Sequence, residues 1–173
     1  MLVINDPQFI SRAEILWEKG TNRSAFSRGE VDKYSWIDIG SSFLPSEMTA
    51  AFLWAQLEHM EFIQNRRKEV WGQYQEGLNF QVREGHLQTP QIPAYATNNA
   101  HMFYTVFRSV QERDAMMIHL RQDGIQAIFH YIPLHTSPYF KPHYQGKPLE
   151  HTERYADCLL RLPFYTDLAK QDI

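Results

Sequence analysis

The side-chain amines of this chain are six lysines, Lys19, Lys33, Lys68, Lys141, Lys147 and Lys170. Covalent chemistry at a carbonyl needs a lysine whose charged form is disfavoured by an apolar frame. None of the six has that setting, since each falls on a polar helix face or in a polar loop. Lys19, Arg23, Arg28 and Lys33 crowd into one loop, and forked guanidinium groups suit a pyrophosphate. On an exposed loop the same charges would be neutralised by Glu18, Glu30 and Asp32. Tyr34 and Trp36 follow, able either to stack on a base or sugar ring or to pack as local core. A second cluster is His130, Tyr131, Ile132, Pro133, Leu134 and His135, an extended turn that would set two imidazoles at a pocket mouth. Zinc needs three or four ligands, cysteine is absent nearby, and His143 sits in a proline-rich stretch, so no metal is expected. A hydrogen-bonded structural histidine is the other reading of either residue.

These groups must be placed by an α/β arrangement. Leu2, Val3 and Ile4 with Met1 read as the tail of a strand, and Asn5, Asp6 and Pro7 as a helix entry. Phe9, Ala13, Leu16 and Trp17 recur at helical spacing up to Gly20, the stop signal. Residues 20–45 lack a sustained period and read as a long ordered loop, a class often functional. Ser46 caps a helix expected to run to about Leu78. A strand over His101–Arg108, a helix over Glu112–Gln122 ended by Gly124, and a strand over Ile125–Tyr131 form a small β-α-β unit. A short helix over Glu150–Leu160, a strand over Leu162–Phe164 and a helix start after Asp167 complete the chain.

With 173 residues, 43% hydrophobic content and a formal net charge of −3, the chain can bury a core and carries no general basic field. Nucleic-acid binding would need a local patch; Arg66, Arg67 and Lys68 are the one candidate, and their spacing fits a solvated helix face better. The single cysteine, Cys158, excludes an internal disulfide and is expected to be a buried structural thiol in a reducing, cytoplasmic setting. No apolar run approaches the ~18 residues of a membrane span.

Four blocks in the same order, Glu18–Gln56, His101–His135, the looser Thr136–Gln145, and the Leu160, Arg161, Leu162, Pro163 run, resemble the C-terminal half of the pyridoxal-phosphate-dependent sugar aminotransferases of the DegT/DnrJ/EryC1/StrS family. The resemblance implies the end of a fold-type-I cofactor domain with its active-site loop over residues 1–45. It implies a long helix and a small C-terminal domain, with a small mixed or antiparallel sheet, over 46–173. It implies pyridoxal 5′-phosphate as cofactor, a nucleotide-linked keto-sugar as substrate, glutamate as amino donor, and a homodimer. The cofactor-bearing lysine of the family lies upstream of the point where this sequence begins, so no catalytic residue is expected within it. Substrate contacts are expected from Arg23, Lys33 and Tyr34, and substrate or site-wall contacts from His130, Tyr131 and His135. In the commoner family pattern Gly is followed by an aromatic, Asn, an aromatic and Arg. Here Gly40 is followed by Ser41, Ser42, Phe43 and Leu44, so Ser42 stands where Asn reaches the cofactor phosphate and offers only a shorter hydroxyl donor.

Overall fold

The computed structural model describes residues 2–173. It forms two compact units, Met1–Glu58 and His59–Ile173, each described below by itself. Met1 lies outside the described residues, and Leu2–Ile4 carry no strand. In the first unit the Asp6 carboxylate accepts the Gln8 N–H at 3.0 Å and Pro7 presets the entry, giving one 3-10 turn over Pro7–Phe9. Helix α1 (Ile10–Trp17) follows as the apolar spacing predicts. A five-residue helix α2 (Arg23–Ser27) stands inside the segment expected to be loop. Helix α3 (Glu47–Glu58) begins as expected, with the Ser46 hydroxyl accepting the Thr49 N–H at 3.2 Å. No residue of α3 is buried within the unit, and Met48, Phe52 and Trp54 are largely exposed.

The single helix expected from Ser46 to Leu78 is interrupted. His59, at φ −104° and ψ 13°, leaves the helical well, and α4 (Met60–Gly77) starts after it. Apolar spacing runs through this break undisturbed, and neither Pro nor Gly marks it, so the pattern conceals it. A third piece, α5 (Asn79–Arg83), follows.

The core of the second unit forms where α4 places Val70 and Tyr74 against Phe103 and Leu168. Tyr74 stacks on Phe103 with centroids 5.0 Å apart, and Trp71 meets the same ring edge-on at 5.5 Å. The Tyr74 hydroxyl donates to the Pro163 carbonyl at 2.9 Å, and burial pushes its pKa up to about 12. Arg66 and Arg67 correct the expectation of a solvated face. Arg66 donates to the carbonyls of Thr166 (2.9 Å) and Leu168 (2.5 Å). Arg67 donates to Ala100 (2.8 Å) and to His101 and lies 4.8 Å over the Phe164 ring. Guanidinium forks thus satisfy carbonyls of an irregular chain that has no ladder to join; only Lys68 of the triplet is exposed.

The sheet holds β1 (Leu87–Gln88), β2 (Tyr104–Phe107), β3 (Ile128–Phe129) and β4 (Leu159–Arg161), in the order β1-β2-β4-β3 with every pairing antiparallel. Strands β2 and β3 therefore run in the same direction, joined through α6 (Val110–Gln122), with β4 inserted between them. Helix α6 starts where the Ser109 hydroxyl accepts the Glu112 N–H at 3.2 Å, and it stops before Gly124 at φ +79°. The period of two separates the faces. Phe107 and Leu160 pack with Leu87, Ala127 and the α6 side chains Met116, Met117 and Leu120; Val106 and Leu159 face the other way with buried Cys158 at the end of α7 (Glu150–Cys158). The closing strand is Leu159–Arg161 rather than Leu162–Phe164, because Leu159 and Leu160 register on Val106 and Thr105 while Leu162 and Phe164 turn to the Phe103 cluster.

Candidate functional site

In the first unit a close glycine crossing builds the loop. Gly20 is left-handed at φ +76°, and its carbonyl accepts the N–H groups of both Ile37 (2.8 Å) and Asp38 (2.9 Å). A Cβ at Gly40 would lie 2.1 Å from the Gly20 nitrogen, so the two backbones touch there. Thr21 pairs antiparallel with Trp36, and Glu18 with Ser42. Glu18, only 7% exposed, takes one guanidinium nitrogen of Arg23 at 3.3 Å and leaves most of that side chain to solvent. Lys33 is exposed and makes no ion pair among the described residues. Arg28 is engaged elsewhere, bonded to Glu14 at 2.9 Å and to Glu30 at 2.7 Å, and it holds the Glu30 carboxyl below the usual carboxylate range. Lys33 and Lys19 thus make no ion pair among the described residues, Lys19 at φ 62°, while Arg23, held to Glu18 through one nitrogen, keeps most of its side chain in solvent. Tyr34 stands half-exposed with its ring 6.5 Å from that of Phe26, and Trp36 is exposed while its Nε1 donates to the Asp38 carbonyl at 2.6 Å. Ser42 is exposed, its backbone fixed by the pairing with Glu18.

Sequence reasoning missed Asn22. Its place before α2 reads as a helix cap, yet its side chain makes no cap bond. Instead its amide group accepts the Ser35 N–H at 2.7 Å and donates to the Lys33 carbonyl at 3.0 Å.

In the second unit His130 and Tyr131 lie together, rings 5.5 Å apart, with the Arg161 guanidinium 5.9 Å from the Tyr131 centroid. Tyr131 is exposed, whereas the His130 Nδ1 is buried without a partner. A cleft of about 390 Å3 opens beside them, lined among others by His130, Thr136, Arg113, Asp114 and Asp157. His135 is turned inward: its Nε2 meets Glu153 Oε1 at 2.9 Å, and its ring lies 5.1 Å from that of Tyr144. In this arrangement it fixes the wall on α7 rather than presenting its Nε2 to solvent. The hydrogen bond from His135 holds the Glu153 carboxyl below its usual range. A carboxyl lowered in the folded state adds stability above its unfolded pKa and loses it as the pH falls through the folded value. Acidification below about pH 4 is therefore expected to loosen the 134–144 segment. Glu153→Gln should flatten that acid limb in a stability-against-pH series; an unchanged limb would remove the pair from the account.

All six lysines are exposed. Among the described residues no group of three or more His, Cys, Asp or Glu is placed to hold a metal ion. No described helix is long and apolar enough to cross a membrane.

Comparison with known proteins gives the frame for these groups. The fold matches DesV of S. venezuelae at 26% identity with a TM-score of 0.82, covering 98% of this chain and 42% of that one. It matches PseC of Helicobacter pylori, an aminotransferase involved in the biosynthesis of pseudoaminic acid, at 17% identity and a TM-score of 0.80, over 98% of this chain and 44% of that one. The PLP-form of Spr1654 from Streptococcus pneumoniae, a putative sugar aminotransferase, matches at 19% identity and a TM-score of 0.74, over 98% and 41%. The chain thus spans less than half the length of these structures. At the identities of PseC and Spr1654 the likeness is one of fold alone. The family model described as the DegT/DnrJ/EryC1/StrS aminotransferase family matches residues 1–173, and the chain belongs to that family.

Proposed function

We propose that this chain is the C-terminal portion of a sugar aminotransferase that moves an amino group from glutamate to a dTDP-linked 4-keto-6-deoxy sugar. On the resemblance of its sequence blocks, the reaction we propose is that of a dTDP-4-amino-4,6-dideoxygalactose transaminase, acting in lipopolysaccharide or enterobacterial common-antigen synthesis. On this reading residues 1–45 end the cofactor domain, 46–173 carry the long helices and the small domain, and the enzyme works as a cytoplasmic homodimer with pyridoxal phosphate. The uncovered apolar side chains of α3, Met48, Phe52 and Trp54, support an association that would bury them.

The observation that carries the reading is the loop in which Lys33, next to Tyr34 in sequence, makes no ion pair and Arg23 stays largely exposed with one nitrogen on Glu18, while Arg28 is neutralised by Glu14 and Glu30. Two exposed cations and an aromatic ring in one loop fit a nucleoside diphosphate. A diphosphate contact is remote from the reacting carbon and stabilises ground and transition states about equally. In an enzyme of full family length, Lys33→Ala is expected to raise the KM for nucleotide-sugar about ten- to a hundredfold at unchanged kcat, since a charged hydrogen bond contributes about 1.5–3 kcal/mol. Wild-type KM would refute the assignment of Lys33, and lost cofactor binding at constant sugar KM would move it to the cofactor side. A second reading, favoured by the exposure of all six lysines, is a non-catalytic nucleotide-sugar-binding or dimerising domain. It differs in binding thymidine diphosphate without supporting transamination at any length.

A further inference from the structure

We infer that Asn22 is the positioning residue of the diphosphate loop: it sets the backbone from which Lys33 and Tyr34 project and ties it to the start of the Arg23 helix. The inference rests on the nucleotide-sugar reading above. Its basis is a run of bonds that converge on one residue. The Asn22 N–H donates to the Ser35 carbonyl at 3.1 Å, and the Ser35 N–H donates back to Asn22 Oδ1 at 2.7 Å. Asn22 Nδ2 donates to the Lys33 carbonyl at 3.0 Å. The Asn22 carbonyl accepts the Phe26 N–H at 2.9 Å, the first bond of the turn that carries Arg23. One residue therefore bonds both cation-bearing segments and spans the peptide units on either side of Tyr34.

The choice of Asn follows from this geometry. Residues 20–22 run antiparallel to 35–38, with Thr21 opposite Trp36 and the Gly20 carbonyl taking the Ile37 and Asp38 N–H groups. The short ladder ends at Asn22, because the chain turns into α2 at Arg23. Beyond that point no backbone partner remains for the Lys33 carbonyl, and only a side chain carrying both an acceptor and a donor can extend the ladder by one rung on each side. Asp lacks the donor and Ala lacks both. Lys33, Tyr34 and Ser35 are exposed, so without the amide this stretch has water on its outer side and keeps on its inner one only the backbone bond from the Asn22 N–H to the Ser35 carbonyl. The entropy of ordering it would then be met by the ligand.

The test uses this chain and thymidine 5′-diphosphate, titrated by calorimetry without pyridoxal phosphate. Arg23→Ala and Lys33→Ala should each weaken binding. Asn22→Ala should weaken it about ten- to thirtyfold, the equivalent of two ordinary hydrogen bonds. Added to Lys33→Ala, it should cost far less than it does alone, since it acts largely through that residue. A full additional loss in the Lys33→Ala background would make Asn22 a general support of the fold and overturn the positioning role. Hydrogen exchange supplies a ligand-free readout: the Ser35 amide should be protected in the parent chain and not in Asn22→Ala. An unprotected Ser35 amide in the parent overturns the clamp directly. If the alanine variant does not fold, Asn22→Ser, whose hydroxyl is too short to span both partners, takes its place. If Lys33→Ala binds as the parent does, or the parent shows no binding, the substrate reading fails and the inference with it. If Lys33→Ala weakens binding and Asn22→Ala does not, only the role of Asn22 fails.

Discussion

Gly20→Ala is expected to weaken binding of thymidine diphosphate to this chain by on the order of a hundredfold or more. Two independent constraints meet at this residue. Its φ of +76° is a conformation that costs an L-residue about 1–2 kcal/mol. A Cβ there would sit 1.7 Å from the Asp38 carbonyl oxygen and 2.7 Å from its carbon, and both are backbone atoms that cannot swing aside as a side chain would. Relief requires the 36–39 segment to move. That movement breaks the bonds from Ile37 and Asp38 to the Gly20 carbonyl and with them the pairing that brings Asn22 to Ser35. Overpacking of this kind adds about 1–3 kcal/mol, and together the two costs correspond to roughly thirty- to several-thousandfold. Gly29→Ala separates the causes, because Gly29 is equally left-handed at φ +73° but has nothing within 4 Å of its would-be Cβ. It should cost about 1–2 kcal/mol of stability and leave binding nearly intact. Equal binding losses in the two variants would mean that the close approach plays no part in the site. The cluster of Val70, Tyr74 and Phe103 is formed within the second unit, so its near-ultraviolet aromatic signal serves as the check that a binding loss is local.

What the sequence revealed and what it hid follow from the range of the forces involved. The Ser46 cap, the stop at Gly124 and the α6 period rest on neighbours within four residues, and all three are found in place. The loop cations were legible as a cluster, since four of them fall within fifteen residues of sequence. Which of them stay free was not, because Arg28 is neutralised in part by Glu14, fourteen residues earlier on α1. Longer separations hid more. Arg66 and Thr166 are a hundred residues apart, and a guanidinium that satisfies distant carbonyls has the same local spacing as one facing water. His135 shows the same limit, since the choice between a ligand contact and a structural bond depended on Glu153 reaching it from α7. Asn22 was hidden likewise: it falls in a segment without periodicity, and its side-chain partners, Lys33 and Ser35, lie eleven and thirteen residues on.

The second large effect is all-or-none. Incubated with pyridoxal phosphate and reduced with borohydride, this chain is expected to yield no single stoichiometric pyridoxyl-lysine. A lysine reacts selectively at neutral pH when burial or a fixed neighbouring cation disfavours its charged form. Exposure of all six lysines removes the first cause. The second is weak in water, where a charge at 4 Å acts with only about 1 kcal/mol and is screened further by salt. Labelling should therefore be scattered and substoichiometric, read as a spread of modified peptides by mass spectrometry. Lys33 and Lys19 are the sensitive positions, because the loop that would attract a nucleotide diphosphate also attracts the cofactor phosphate. Thymidine diphosphate should suppress what labelling occurs at these two and leave Lys68, Lys141, Lys147 and Lys170 unaffected. One fully modified lysine would overturn the expectation that this chain lacks the covalent seat. Competition by the nucleotide at Lys33 without any such adduct is the pattern expected of a chain that supplies the substrate side of the reaction and takes the cofactor-bearing lysine from elsewhere in the enzyme.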